Sequence, residues 1–156
     1  MLILAAGRAK GTPEGALADT YAQRASAAGR ALGLGPVEAI EIEDRKDGDG
    51  RRDREAELLL QKIPDGGVLV ALDERGETMP SEAFARWLAK QRDMGTPALT
   101  FAIGGADGHG LALFAKAQKR LAFGTQTWPH LLVRAMLAEQ IYRAVTILAG
   151  HPYHRA

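Results

Sequence analysis

Residues 98–110 read ALTFAIGGADGHG. An almost continuous apolar run that stops on two glycines is the pattern of a short buried strand followed by a change of direction. Gly104 and Gly105 allow the backbone to turn at positive φ, and without a Cβ they also let a ligand approach the main-chain amides. The same pair serves equally well as a tight strand-to-helix turn. The spacing fits neither the dinucleotide fingerprint G-x-G-x-x-G nor the P-loop ending G-K-[ST], and Gly7, Gly11 and Gly15 near the start do not supply either pattern.

On either side, strand-like and helix-like segments alternate. MLILAA at the start reads as a buried strand, and Pro13 to Leu34 reads as a helix stopped by the glycines at 33 and 35. VEAIEIE (37–43) alternates apolar and acidic residues, as a half-exposed strand does. DRKDGDGRRDRE (44–55) has no apolar anchor and reads as a charged loop before a helix around AELLLQKI (56–63). Strand VLVAL (68–72), loop DERGETMPS (73–81) and a helix near SEAFARWLAKQRDMG (81–95) precede the opening stretch. A helix near LALFAKAQKR (111–120), a short strand LAFG (121–124) and a long helix from Pro129 follow it.

This alternation predicts an α/β fold, a mainly parallel sheet with helices on both faces, in one domain spanning 1–156. Ligands of such sheets bind beyond the carboxyl ends of the strands, which directs attention to the loops after Leu72, Ile103 and Gly124.

Composition narrows the class. At 156 residues and 46% hydrophobic content, the chain can bury a real core. No run of eighteen apolar residues is present, and MLILAAGRAKG lacks the basic leader of a signal peptide, so a cytoplasmic protein with no membrane partner is expected. There is no cysteine, which removes disulfide frameworks and thiolate metal sites.

The net charge of +1 conceals an asymmetry: residues 109–156 carry +5 and residues 1–108 carry −4. All four histidines (His109, His130, His151, His154) lie in the basic part. A basic segment of this kind suits an anionic partner such as RNA, or is simply a solvated face.

In the last helix, Leu137, Ile141, Ala144, Val145 and Leu148 recur at helical spacing, while Arg134, Glu139 and Arg143 lie off that stripe. Pro129 suits the first helical position. His130 beside it is either a neighbour of the helix cap or a phosphate contact, because helix N-termini attract anions. His151 and His154 are spaced i, i+3 but lack a suitable third ligand nearby, so no metal is expected.

Four separated motifs, LDERGETMPSEAFA, FAIGGADGHG, TWPHLLVRAMLAEQIYRA and GHPYHRA, occur in an order that resembles the ribosomal large subunit methyltransferase H family. That family belongs to the SPOUT superfamily, whose members have a C-terminal trefoil knot, and it methylates N3 of a pseudouridine in 23S rRNA. The resemblance implies S-adenosyl-L-methionine as cofactor, held at Leu72, at Gly104 and Gly105, and along Gly124, Thr125, Gln126, Thr127, Trp128 and Pro129.

It also implies a homodimer with its site near the subunit interface, the stripe of the last helix lying partly there, and the assembled ribosome as substrate. The tail residues Tyr153, His154 and Arg155 become catalytic candidates, Arg155 stabilising a deprotonated imide and His154 acting as base or positioning group. Arg143, His130 and Arg134 become candidate RNA contacts. Relatives usually carry Leu-Ser where this chain has His109-Gly110, and a Leu-Ser-x-Met-Thr-like string where it has FGTQTW.

Two rival classes stand against this reading. A non-catalytic RNA-binding module predicts salt-sensitive RNA binding without cofactor affinity. A serine hydrolase would have to use Ser26 or Ser81, neither of which lies in a G-x-S-x-G elbow.

Overall fold

Leu99–Ile103, the predicted buried strand, is buried at every position and has a strand on each side. The structure, a computed structural model, describes residues 1–46 and 48–154. In chain order its elements are β1 (Leu2–Ala6), α1 (Pro13–Gly29), β2 (Glu38–Ile42), α2 (Arg51–Leu60), β3 (Val68–Thr78), α3 (Ser81–Asp93), β4 (Leu99–Ile103), α4 (Leu111–Lys116), β5 (Lys119–Ala122) and α5 (His130–Leu148). The strands form one all-parallel sheet ordered β2-β1-β4-β3-β5.

Alternation along the strands divides the core in two. Ile3, Ala5, Val70, Leu72, Phe101 and Ile103 face a layer made by α1, α3 and α5. Leu4, Ala6, Leu69, Ala71 and Ala102 face α2 and α4, through Ala56, Leu59 and Leu113. Both faces of the sheet are therefore covered, as the sequence pattern predicts.

Local chemistry sets the helix starts. The Thr12 hydroxyl accepts from the Gly15 amide at 3.0 Å, and Pro13 follows at a position where its missing N–H costs nothing. In α5, Pro129 is the cap residue itself and His130 is the first helical residue, one place later than the sequence predicts. Leu137, Ile141, Ala144 and Val145 of the stripe are buried within the chain's own core, and Leu148 at its end is partly buried.

Other expectations also shift. The charged loop ends earlier than predicted, because Arg51 to Glu55 already form the first turns of α2, held by the Arg51–Glu55 pair. The helix after the glycine loop stops at Lys116, and β5 begins at Lys119 rather than Leu121. DERGETMPS is not a loop throughout, since β3 continues to Thr78.

The reason lies in how β3 meets β5. Leu121 pairs with both Leu72 and Glu77, so the intervening residues bulge out of register. A Cβ on Gly76 would stand 2.7 Å from the Leu121 backbone, so only glycine allows the two chains this close. The bulge carries Asp73, Glu74 and Arg75 out beyond the end of the sheet. No helix among the described residues is long and apolar enough to cross a membrane.

Candidate functional site

The carboxyl ends of β3, β4 and β5 surround one cavity of about 590 Å³. This is a common size for a small-molecule site. β4 feeds a helix on one face of the sheet, and its neighbours β1 and β3 feed helices on the other, so a crevice opens where the chain diverges.

Of the residues expected to hold a cofactor, Leu72, Gly104, Gly105, Gln126, Thr127 and Trp128 line this cavity. Gly124, Thr125 and Pro129 belong to the same β5–α5 loop but are not part of its wall. The loop is held from both ends: the Thr127 hydroxyl donates to Glu74 Oε2 at 2.7 Å, and the Trp128 indole N–H donates to the Phe123 carbonyl at 3.0 Å. Trp128 still keeps 40% of its surface exposed.

The expectation of positive φ at Gly104 and Gly105 is not met; in this loop the left-handed residue is Gly108. The two glycines are needed for close approach. A Cβ on Gly104 would lie 2.6 Å from the Gly108 backbone, and one on Gly105 would lie 2.7 Å from the Glu55 carboxylate. Glu55 is itself buried and paired with Arg51, so α2 presses against the back of the glycine loop.

His109 is a buried wall residue whose Nε2 lies 3.2 Å from the Ala102 carbonyl. A carbonyl only accepts, so Nε2 carries the proton. Burial pulls its pKa below the ordinary value, against opposing pulls from the Ala102 carbonyl, Asp73 and the Leu72 carbonyl.

Three carboxylates, Asp73, Glu74 and Asp107, and three guanidinium groups, Arg52, Arg75 and Arg120, share the wall with the apolar Leu72, Ile103 and Val133. The carboxylates suit a cationic ligand, while the arginines suit phosphate. Sequence reasoning missed Arg52, which it placed in a charged loop. It directed attention to the loop after Leu72 without assigning roles to Asp73, Glu74 or Arg75.

Four of the basic segment's six cations are held in ion pairs. Lys119 pairs with Glu77, Arg120 with Asp73, Arg134 with Glu41 and Arg143 with Glu139. Arg134 corrects the expectation of an RNA contact there: it is 4% exposed and turned inward, donating to Glu41 and to the carbonyls of Ala6 and Gly7. His130 lines the cavity, and Arg143 packs over the Tyr153 ring at 5.0 Å.

The tail lies at the other end of α5. The Tyr153 hydroxyl donates to Glu139 at 3.0 Å, and desolvation followed by its bonds to Tyr21 and Glu139 pushes its pKa well above the usual phenol value. His154 Nε2 lies 2.9 Å from Glu82 Oε1, and its Nδ1 is buried without a partner among the described residues. Arg155 lies outside the described residues. The tail folds back to Glu139, the tenth residue of α5, so the Tyr153 hydroxyl stands roughly 14 Å along the helix axis from His130 at the cavity. Among the described residues no group of three His, Cys, Asp or Glu is placed to hold a metal ion.

A model of the family described as "Predicted SPOUT methyltransferase" matches residues 1–154. The chain belongs to the SPOUT methyltransferase family. Similar SPOUT relatives carry the name ribosomal RNA large subunit methyltransferase H. The one from Phenylobacterium zucineum is 56% identical over 153 residues, covering 98% of this chain and 97% of the relative. The one from Dinoroseobacter shibae is 54% identical over 149 residues, covering 96% and 94%. The one from Xanthobacter autotrophicus is 52% identical over 158 residues, covering 100% and 99%.

Proposed function

We propose that this SPOUT protein transfers a methyl group from S-adenosyl-L-methionine to N3 of a pseudouridine in 23S rRNA of the assembled ribosome, acting as a homodimer. The observation that carries the reading is the convergence of three strand-end loops on one cavity of about 590 Å³. The family's C-terminal trefoil knot and its organisation as one methyltransferase domain over 1–156 belong to the same reading.

The wall chemistry fits the cofactor. Leu72, Ile103 and Val133 offer apolar contact to an adenine, the glycine loop offers main-chain atoms, and Asp73, Glu74 and Asp107 balance a sulfonium and an ammonium. When bound, S-adenosyl-L-methionine supplies an electrophilic methyl group. The chain's own residues do the rest. The loops hold the reactants in line and exclude water, an effect worth on the order of 7–11 kcal/mol in favourable cases. Arg52, Arg75 and Arg120 receive RNA phosphates at the cavity. Tyr153, His154 and Arg155 of a second copy reach the acceptor base, because one chain holds Tyr153 and His154 on Glu139 and Glu82, outside the wall of its own cavity.

The test is transfer of labelled methyl to ribosomes whose 23S rRNA contains or lacks the pseudouridine. Label appearing only in the first set, at N3 of that base, supports the reading. Calorimetric binding of RNA with no affinity for S-adenosyl-L-methionine would replace it with the non-catalytic RNA-binding module.

A further inference from the structure

Removing the imide proton from the acceptor base needs a proton acceptor, and four histidines are available. His109 commits Nε2 to Ala102, and its Nδ1 is buried out of reach. His154 faces Glu82 through one ring nitrogen and buries the other. His151 is exposed at the far end of α5 and accepts the Tyr153 amide on Nδ1. His130 lines the cavity as His109 does, but its ring has no hydrogen-bond partner among the described residues.

We propose that His130 is the base that takes the N3 proton during methyl transfer. This rests on the methyl-transfer reading above. The N3–H bond breaks and its proton passes to a ring nitrogen of His130. The freed N3 pair forms the bond to the methyl carbon as the carbon–sulfur bond breaks, its pair remaining on sulfur. The imidazolium then loses its proton to water.

The surroundings keep the ring in the form that can accept. His130 Nε2 and Arg134 Nη2 each lie 3.7 Å from where a Cβ on Gly7 would stand, so a buried guanidinium stands near the ring. Three charged groups act on the imidazole. Arg134 from α5 and Arg51 from α2 oppose its protonation, and Glu55 from α2 favours it. Burial is the largest influence and works with the two arginines, holding the pKa below the ordinary 6.5. As the first residue of α5, His130 also stands where the helix dipole disfavours a cation. A neutral imidazole near physiological pH is well matched to a general base.

The experiment uses full-length protein and has three readouts. Ring resonances of His130 are followed by NMR against pH without ligand. The result expected is a midpoint below 6.5, and a midpoint at or above it overturns the proposal. Single-turnover transfer to ribosomes is then measured for wild type, His130→Ala and His130→Gln. Both variants should slow by roughly 100-fold or more. The wild-type rate should climb with pH through the NMR midpoint and then level, and added imidazole should restore part of the His130→Ala rate. S-adenosyl-L-methionine affinity, read by calorimetry, should stay near wild type.

Variant rates within a few-fold of wild type overturn the assignment. So does a loss that follows cofactor affinity, which would make His130 a binding residue. Wild-type protein that transfers no methyl to any ribosome overturns the parent reading instead, and this assignment with it.

Discussion

Arg134 in α5 donates from Nη2 to the main-chain oxygen of Ala6 at 2.6 Å, across 128 positions of sequence. The same guanidinium reaches Gly7 O and Glu41, so one side chain ties the first turns of α5 to the ends of β1 and β2. Desolvation lowers its pKa, with Glu41 opposing, yet guanidinium groups keep their charge in proteins.

Arg134→Ala therefore removes a donor from two main-chain oxygens and from Glu41, whose Oε1 still accepts the Ala9 amide. Leaving buried acceptors unsatisfied costs about 1–3 kcal/mol, equivalent to roughly 2–12 °C in Tm for a domain of this size. Thermal denaturation checks this. RNA binding by the folded fraction should keep its dependence on salt, because an inward guanidinium neutralises no phosphate. A shallower salt slope with unchanged Tm would restore Arg134 as an RNA contact.

Gly76 offers a test of the bulge in β3. Gly76→Ala places a methyl 2.7 Å from the Leu121 backbone, where no flexible side chain can yield. Overpacking of this kind costs roughly 1–3 kcal/mol. Because Asp73, Glu74 and the Thr127 hydrogen bond depend on the bulge, cofactor affinity should fall together with stability. Calorimetry and chemical denaturation on the same variant check both; unchanged affinity would show that the bulge does not shape the cavity.

Why some of this was legible in the sequence and some was not follows from the range of the interactions. ALTFAI and VLVAL are buried on both faces, so an apolar run sufficed to reveal them. The β3 bulge was illegible because Asp73 to Gly76 look like a turn until Leu121, 45 positions beyond Gly76, pairs across them. Arg134 reads as a surface cation because its acceptors lie on β1 and β2. Three charges of the +5 of the last third are balanced for the same reason, since Glu41, Asp73 and Glu77 come from the acidic part. The positions of the strand-end loops could be read locally, while the partners of the charges inside them could not.

His109 sets an acid limit on stability. An unfolded histidine takes up its proton near 6.5, whereas burial holds the folded pKa lower. The stabilisation from keeping the ring neutral is complete above that unfolded value and is lost as pH falls through the folded one. His130 shifts the same way and adds to the slope. Tm should fall from neutral toward mildly acidic pH, and His109→Leu should flatten that fall. An identical pH profile for the two proteins would show that His109 titrates in the folded state as it does unfolded.

The last prediction concerns the tail. Tyr153 and His154 are held by Glu139 in the middle of α5 and by Glu82 in the first turn of α3, and none of these four residues lines the cavity. In the proposed dimer the tail that completes a cavity therefore comes from the other copy. Thr127→Trp fills the cavity from its wall, and a chain ending at Gly150 lacks the tail; each alone should be inactive on ribosomes. In a mixed dimer the truncated chain contributes an intact cavity and its partner an intact tail, which restores one complete site. Random pairing of equal amounts makes half the dimers mixed, so about a quarter of the wild-type sites should return, by two-fold symmetry. Methyl transfer measured on the co-refolded mixture checks this. No recovery, with mixed dimers shown to form by native mass spectrometry, would confine the tail to its own chain and remove it from the catalytic site.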